Sequence, residues 1–111
     1  MSEEKPAGPR VKRREVWVDL PGDYEGFRFR MWVNPPAKTS LRLLTIRAVD
    51  ALQEMILEHN GWCDADGNPY PQPDDPEFVM AIPTELLGMV LKLAEQEIQK
   101  LPNSIAPQRR R

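Results

Sequence analysis

Twelve prolines decide where this chain can carry regular structure. Proline fixes φ and lacks a backbone N–H, so it is kept out of helix interiors and central strands. The prolines gather near the N-terminus, at Pro35-Pro36 and between Pro69 and Pro83. Every periodic apolar segment falls between those groups.

Two segments alternate with period two. In "EVWVDL" (15–20), Val16, Val18 and Leu20 share one face, and Glu15, Trp17 and Asp19 the other. In "GFRFRMWVN" (26–34), Phe27, Phe29, Met31 and Val33 oppose Arg28, Arg30 and Trp32. The intervening "PGDYE" has turn chemistry, so the pattern predicts an antiparallel hairpin with one buried face. Trp17 and Trp32 share the outer face with Glu15, Asp19, Arg28 and Arg30, which suits cross-strand pairs. A lone hairpin is marginal in water, so its apolar face must cover a helix or another chain.

Two longer segments repeat at helical spacing. Leu41, Leu44, Ala48, Leu52, Met55 and Ile56 predict one helix over 41–58, with Ser40 as N-cap. Leu43, Ile46, Val49 and Leu57 widen its apolar stripe, and Asn60 or Gly61 supplies the stop. Thr84 opens a second helix as N-cap. Leu87, Leu91, Ala94, Ile98 and Leu101 form a heptad-like seam. Leu86, Val90 and Leu93 lie in a second row beside it. Pro102 disfavours helix at Leu101. The expected fold is α+β: an N-terminal β-hairpin packed on two main α-helices joined by a long, ordered, proline-rich acidic loop. Residues 15–101 form the single domain, flanked by a flexible basic arm (1–14) and a flexible basic tail (102–111).

A chain of 111 residues supports one domain with a modest core. One cysteine forms no internal disulfide, and one histidine is poor support for zinc. No apolar run reaches the roughly 18 residues of a transmembrane helix. The N-terminal segment has no apolar core of a signal peptide, so cytoplasmic residence is the default expectation.

The loop "GWCDADGNPYPQPDDPEF" (61–78) invites chemical readings. Its "DADGN" resembles the start of a calcium loop. Counted from Asp64, however, Pro69 stands where the turn glycine must be and Asp75 where glutamate must be. Paired carboxylates, Asp64 with Asp66 or Asp74 with Asp75, could serve acid–base catalysis only in a cleft that shifts their pKa values, and the loop is too polar for that. Cys63 and His59 have no third group to orient them as nucleophile and base. No catalytic residue, metal site or cofactor is therefore expected. A tight turn at Asp66-Gly67-Asn68, anchored by Trp62, followed by an extended proline-stiffened strip, accounts for the loop more simply.

Charge is uneven, although the net charge is only −2. "RVKRR" (10–14) and "RRR" (109–111) are basic, whereas residues 64–77 carry five carboxylates and no basic residue. Arg13 and Arg14 of one copy could dock against Asp74 and Asp75 of a neighbour. Basic ends could also contact phosphates, which makes a small nucleic-acid-associated protein the alternative reading, with steep salt dependence.

Three stretches carry a family resemblance: "VDLPGDYEGFRFRMWVNPP", "GWCDADGNPYPQP" and "IPTELLGMVLKLAEQEIQKLPNS". In this order, across roughly residues 18–104, the chain resembles the small tail assembly chaperones of long-tailed bacteriophages. The shared elements are a Trp-x-Asp-x-Asp-Gly-x-Pro loop and an Ile-Pro-x-Glu-Leu start to a leucine-rich helix ending in Leu-Pro-Asn-Ser. Cys63 departs from the pattern. The resemblance implies a non-enzymatic, self-associating protein, acting in the host cytoplasm, that coats the helical tape measure protein before the tail tube polymerises. Some members are made in two lengths by frameshifting. A chaperone of that kind needs apolar helix faces beyond those its own core consumes. Leu86, Val90, Leu93 and Trp62 are the expected partner contacts. The expected assembly is a homo-oligomer, with no membrane and no nucleic-acid partner.

Overall fold

The computed structural model describes residues 8–100, in the order β1 (Glu15–Asp19), a 3-10 turn (Gly22–Tyr24), β2 (Arg28–Trp32), α1 (Ala37–Arg42), α2 (Ala48–Met55), β3 (Ile56–His59), α3 (Phe78–Ala81) and α4 (Thr84–Gln99). The tail, Leu101 and the first part of the basic arm lie outside the described residues. The fold is α+β, as expected, but the sheet has three antiparallel strands in the order β1-β2-β3.

The predicted antiparallel hairpin forms, with its apolar face inward. Val16 faces Met31 and Val18 faces Phe29. Val18, Leu20, Phe29, Met31 and Val33 are buried beneath the helices. On the outer face the Arg30 guanidinium bridges Glu15 of β1 and Glu58 of β3.

The expected helix over 41–58 is corrected in two places. First, it breaks between α1 and α2. Thr45 is the cause: its hydroxyl donates to the Arg42 carbonyl at 2.9 Å and accepts the Arg47 N–H at 3.0 Å. A β-branched threonine that satisfies local backbone groups in this way competes with helix continuation, and the adjacent Ile46 adds a second β-branched residue. Ser40 is accordingly no N-cap; it is buried inside α1, which starts after Pro36. Second, α2 stops at Met55 and the chain turns extended at Ile56 (φ −82°, ψ 127°). Residues 56–59 pair with β2, placing Glu58 opposite Arg30, with a register shift between Arg30 and Met31. The unfilled edge of β2 overrides the helical propensity of "MILE". Arg42 and Thr39 hold the Glu54 carboxylate, at 2.7 and 3.2 Å, and tie α1 to α2 across the break.

In α4 the expected seam is buried at Ala94 and Ile98, but nearer the N-terminus Leu86 and Val90 of the second row take the buried places expected of Leu87 and Leu91. Leu86, Val90, Ala94 and Ile98 are buried, while Leu87 and Leu91 are half-buried. Thr84 is the first helical residue after Pro83 rather than a side-chain cap.

Candidate partner-binding surface

The loop after β3 is built inward from His59. Its Nε2 lies 2.9 Å from the Pro71 carbonyl, which can only accept, so Nε2 carries the hydrogen. Nδ1 then accepts the backbone N–H groups of Gly61 (3.1 Å) and Trp62 (3.0 Å). The Gln72 side chain accepts from His59 N–H at 2.9 Å and donates back to its carbonyl at 3.3 Å. Gly61 makes the turn with φ +93°. Trp62 enters the core, only 3% exposed. Its ring stacks on His59 at 4.8 Å between centroids and touches Phe27, Phe29 and Phe78.

The "DADGN" turn outside this anchor is an Asx-type turn. Asp64 Oδ1 accepts the N–H groups of Asp66 and Asn68, each at 2.9 Å. Those backbone donors, Asn68 foremost, hold the Asp64 carboxyl below its usual range. The carboxylate is thus engaged by its own turn. Pro73 is fully buried, and Gln53 of α2 donates to the Pro73 carbonyl. Among the described residues no group of three or more His, Cys, Asp or Glu is placed to hold a metal ion. Cys63 is exposed.

The sites expected from sequence redistribute. Trp62, Leu86 and Val90 are core residues, at 3%, 1% and 0% exposure, and offer no surface to a partner. Leu93 is half-buried against the same core. The reason is that a domain of this size consumes both rows of α4. Arg13 is engaged within its own chain: its guanidinium pairs with Glu15 at 3.1 Å and lies 4.3 Å above the Trp32 ring. Arg14 is exposed, with its backbone N–H on Asn34 Oδ1 at 2.8 Å. Asp74 and Asp75 are exposed in the strip beyond β3, whereas Arg13 and Arg14 precede β1 at the other side of the sheet. Within one chain the structure does not bring these four together.

Among the described residues, the large apolar side chains left outside are Val11, Trp17 and Met80, which stand apart in sequence, and one group of four. Leu41 is 49% exposed, Leu44 63%, Ile46 99% and Val49 37%, all within one short segment spanning the helix break. Leu43 alone in the middle of that segment is buried. Lys38, Arg42, Arg47 and Asp50 surround it in sequence, giving an apolar ridge with a mixed charged border. The signal was present at Thr45-Ile46, but the unbroken apolar count concealed it. An isolated exposed Leu is ordinary; four large apolar residues concentrated around one break are a candidate interaction site. Two surface hollows lie apart from this segment. One, of about 400 Å³, lies between Val11, Arg13, Trp32, Asn34, Pro35 and Pro36. The other, of about 300 Å³, lies among Leu57, Glu58, His59, Gln72 and Asp74.

No helix among the described residues is long and apolar enough to cross a membrane. No protein-family model, curated protein or solved structure matches the chain.

Proposed function

We propose that this chain is a tail assembly chaperone of a long-tailed bacteriophage. It shields the helical tape measure protein stoichiometrically in the host cytoplasm, without catalysis. The observation that carries the reading is the apolar ridge at Leu41, Leu44, Ile46 and Val49. A helical client presents apolar anchors at spacings of three and four residues, and exposed apolar side chains grouped in one segment give them a surface to bury against. The three resembling sequence stretches support the same reading. The ridge replaces Trp62, Leu86, Val90 and Leu93 as the contact surface. The nucleic-acid alternative has less support, because Arg13 is already paired with Glu15 and Trp32.

Co-expression with the long helical protein encoded beside it tests the proposal. The expected result is a client soluble with this chain and insoluble without it, and insoluble again with the double variant Leu44→Asp, Ile46→Asp. A client equally soluble with and without the chain overturns the reading. A client still rescued by the double variant removes the ridge from it.

A further inference from the structure

The two edges of the sheet are treated differently. At the β3 edge, Gln72 exchanges hydrogen bonds with the backbone of His59, and the Pro71 carbonyl takes the His59 ring. At His59 that edge is therefore covered by the chain itself. β1 has one strand neighbour among the described residues, β2. The hydrogen bonds that extend the ladder, Leu20 N–H to Phe27 O and Arg14 O from Val33 N–H, show which residues face inward. In an antiparallel pair this alternates, so Arg14, Val16, Val18 and Leu20 direct their backbone groups at β2. The N–H and C=O groups of Arg13, Glu15, Trp17 and Asp19 therefore point out from the open edge. Residues 15–19 have no proline, no lysine and no bulge against β2, and the charges they do carry, Glu15 and Asp19, can be met by a partner of opposite charge.

We propose that this edge is a self-association surface, where β1 pairs antiparallel with β1 of a second copy about a two-fold axis at Val16. Charge selects the register. Outward-facing residues must meet outward-facing residues, so only a few alignments are open. One centred on Trp17 sets Glu15 against Asp19 of the other copy, and one centred on Glu15 sets two glutamates together; both oppose like charges. Centring on Val16 sets Arg13 against Asp19 and Glu15 against Trp17, twice each by symmetry. Val16, only half-buried in the single chain, then meets its own copy. The exposed Arg13–Glu15 and Arg28–Asp19 pairs are weak enough to rearrange or be shared. The product is a continuous six-stranded sheet whose outer edges are the two β3 edges. This surface is separate from the ridge at 41–49 and stands or falls independently of client binding.

Light scattering and sedimentation of the full chain test it. The expected particle has twice the 12.8 kDa chain mass. Trp17→Pro removes an outward N–H but no β1–β2 bond, and is expected to return the monomer with its circular dichroism intact; Trp17→Tyr stays dimeric. Arg13→Asp and Asp19→Arg each dissociate the dimer, and the two together restore it. That charge exchange decides the question even if the proline variant fails to fold. Ile46→Asp leaves the dimer unchanged. A wild-type chain that is monomeric at every concentration reached, a dimer that survives both single charge reversals, or a dimer broken by Ile46→Asp overturns the proposal.

Discussion

Residues 61–78 and residues 41–49 exchange the roles their compositions suggest. The first stretch is acidic and proline-rich, with the only cysteine and a tryptophan, the kind of composition usually found in exposed functional loops. Its interior is nevertheless part of the framework. Trp62, Pro73 and Phe78 are buried, and His59 and Gln72 satisfy its backbone. The second stretch has the apolar periodicity of a core helix. It is interrupted at Thr45 and leaves Leu41, Leu44, Ile46 and Val49 outside. The difference teaches that apolar content alone does not distinguish core from contact surface. What distinguishes them is whether the local backbone can keep the period that would turn those side chains inward.

The sharpest way to break this comparison is to truncate one anchor from each region. Trp62→Ala opens a cavity between His59, Phe29 and Phe78, and is expected to destabilise the fold by about 3–5 kcal/mol. Ile46→Asp is expected to change stability by no more than about 0.5 kcal/mol, because the side chain touches solvent on nearly every side. Denaturant titration of both variants measures the contrast. Equal losses would mean that the ridge is core after all.

A smaller effect separates the polar part of the anchor from its packing. His59→Leu keeps an apolar body beside Trp62 but leaves the Gly61 and Trp62 N–H groups without their acceptor. The expected loss is about 1–3 kcal/mol, read as a shift in the denaturant midpoint. His59→Leu with wild-type stability would show that solvent replaces the ring nitrogen and that Trp62 packing alone holds the loop. Smaller again is Gly67→Ala in the outer turn. Gly67 sits at φ +86° with open space around it, so only backbone strain opposes the methyl group. About 1 kcal/mol is expected from the same titration.

Much of this organisation was legible in the residues. The buried and outer faces of β1 and β2 follow from period-two alternation that both strands keep without interruption, and α4 from a long helical repeat between two prolines. The turn after Trp62 was readable from Asp-Gly-Asn. β3 was not, because "ILEH" continues a helical pattern; only the vacant edge of β2 and the Arg30–Glu58 pair make it a strand, and neither is local. The break at Thr45 was locally encoded, in one hydroxyl that bonds on both sides, but a count of apolar spacings does not weigh it. The contact surface was misplaced for a related reason. Choosing which residues of α4 are buried most deeply needs the tertiary packing: Leu86 and Val90 lie inside the core, where Leu87 and Leu91 are only half-buried against it.

The finest contrast between the two regions is in how acid affects them. Asp64 accepts backbone hydrogen bonds only as part of the folded turn, so its carboxyl is held below the ordinary range in the native state. The sign follows by linkage: a group with a depressed native pKa contributes stability above its unfolded value, near pH 4, and that contribution fades as pH falls through the lower native value. The ridge offers no such group among its apolar residues. Asp64→Asn keeps an Oδ1 acceptor for Asp66 and Asn68 but cannot titrate. It should leave neutral-pH stability close to wild type and flatten the decline below about pH 4. Asp64→Ala loses the acceptor and should be less stable at neutral pH, converging on wild type in acid. Urea titrations at stepped pH distinguish the three chains. Parallel acid limits for wild type and Asp64→Asn would mean that the turn is held by Gly67 and the prolines, with the carboxylate contributing nothing of its own.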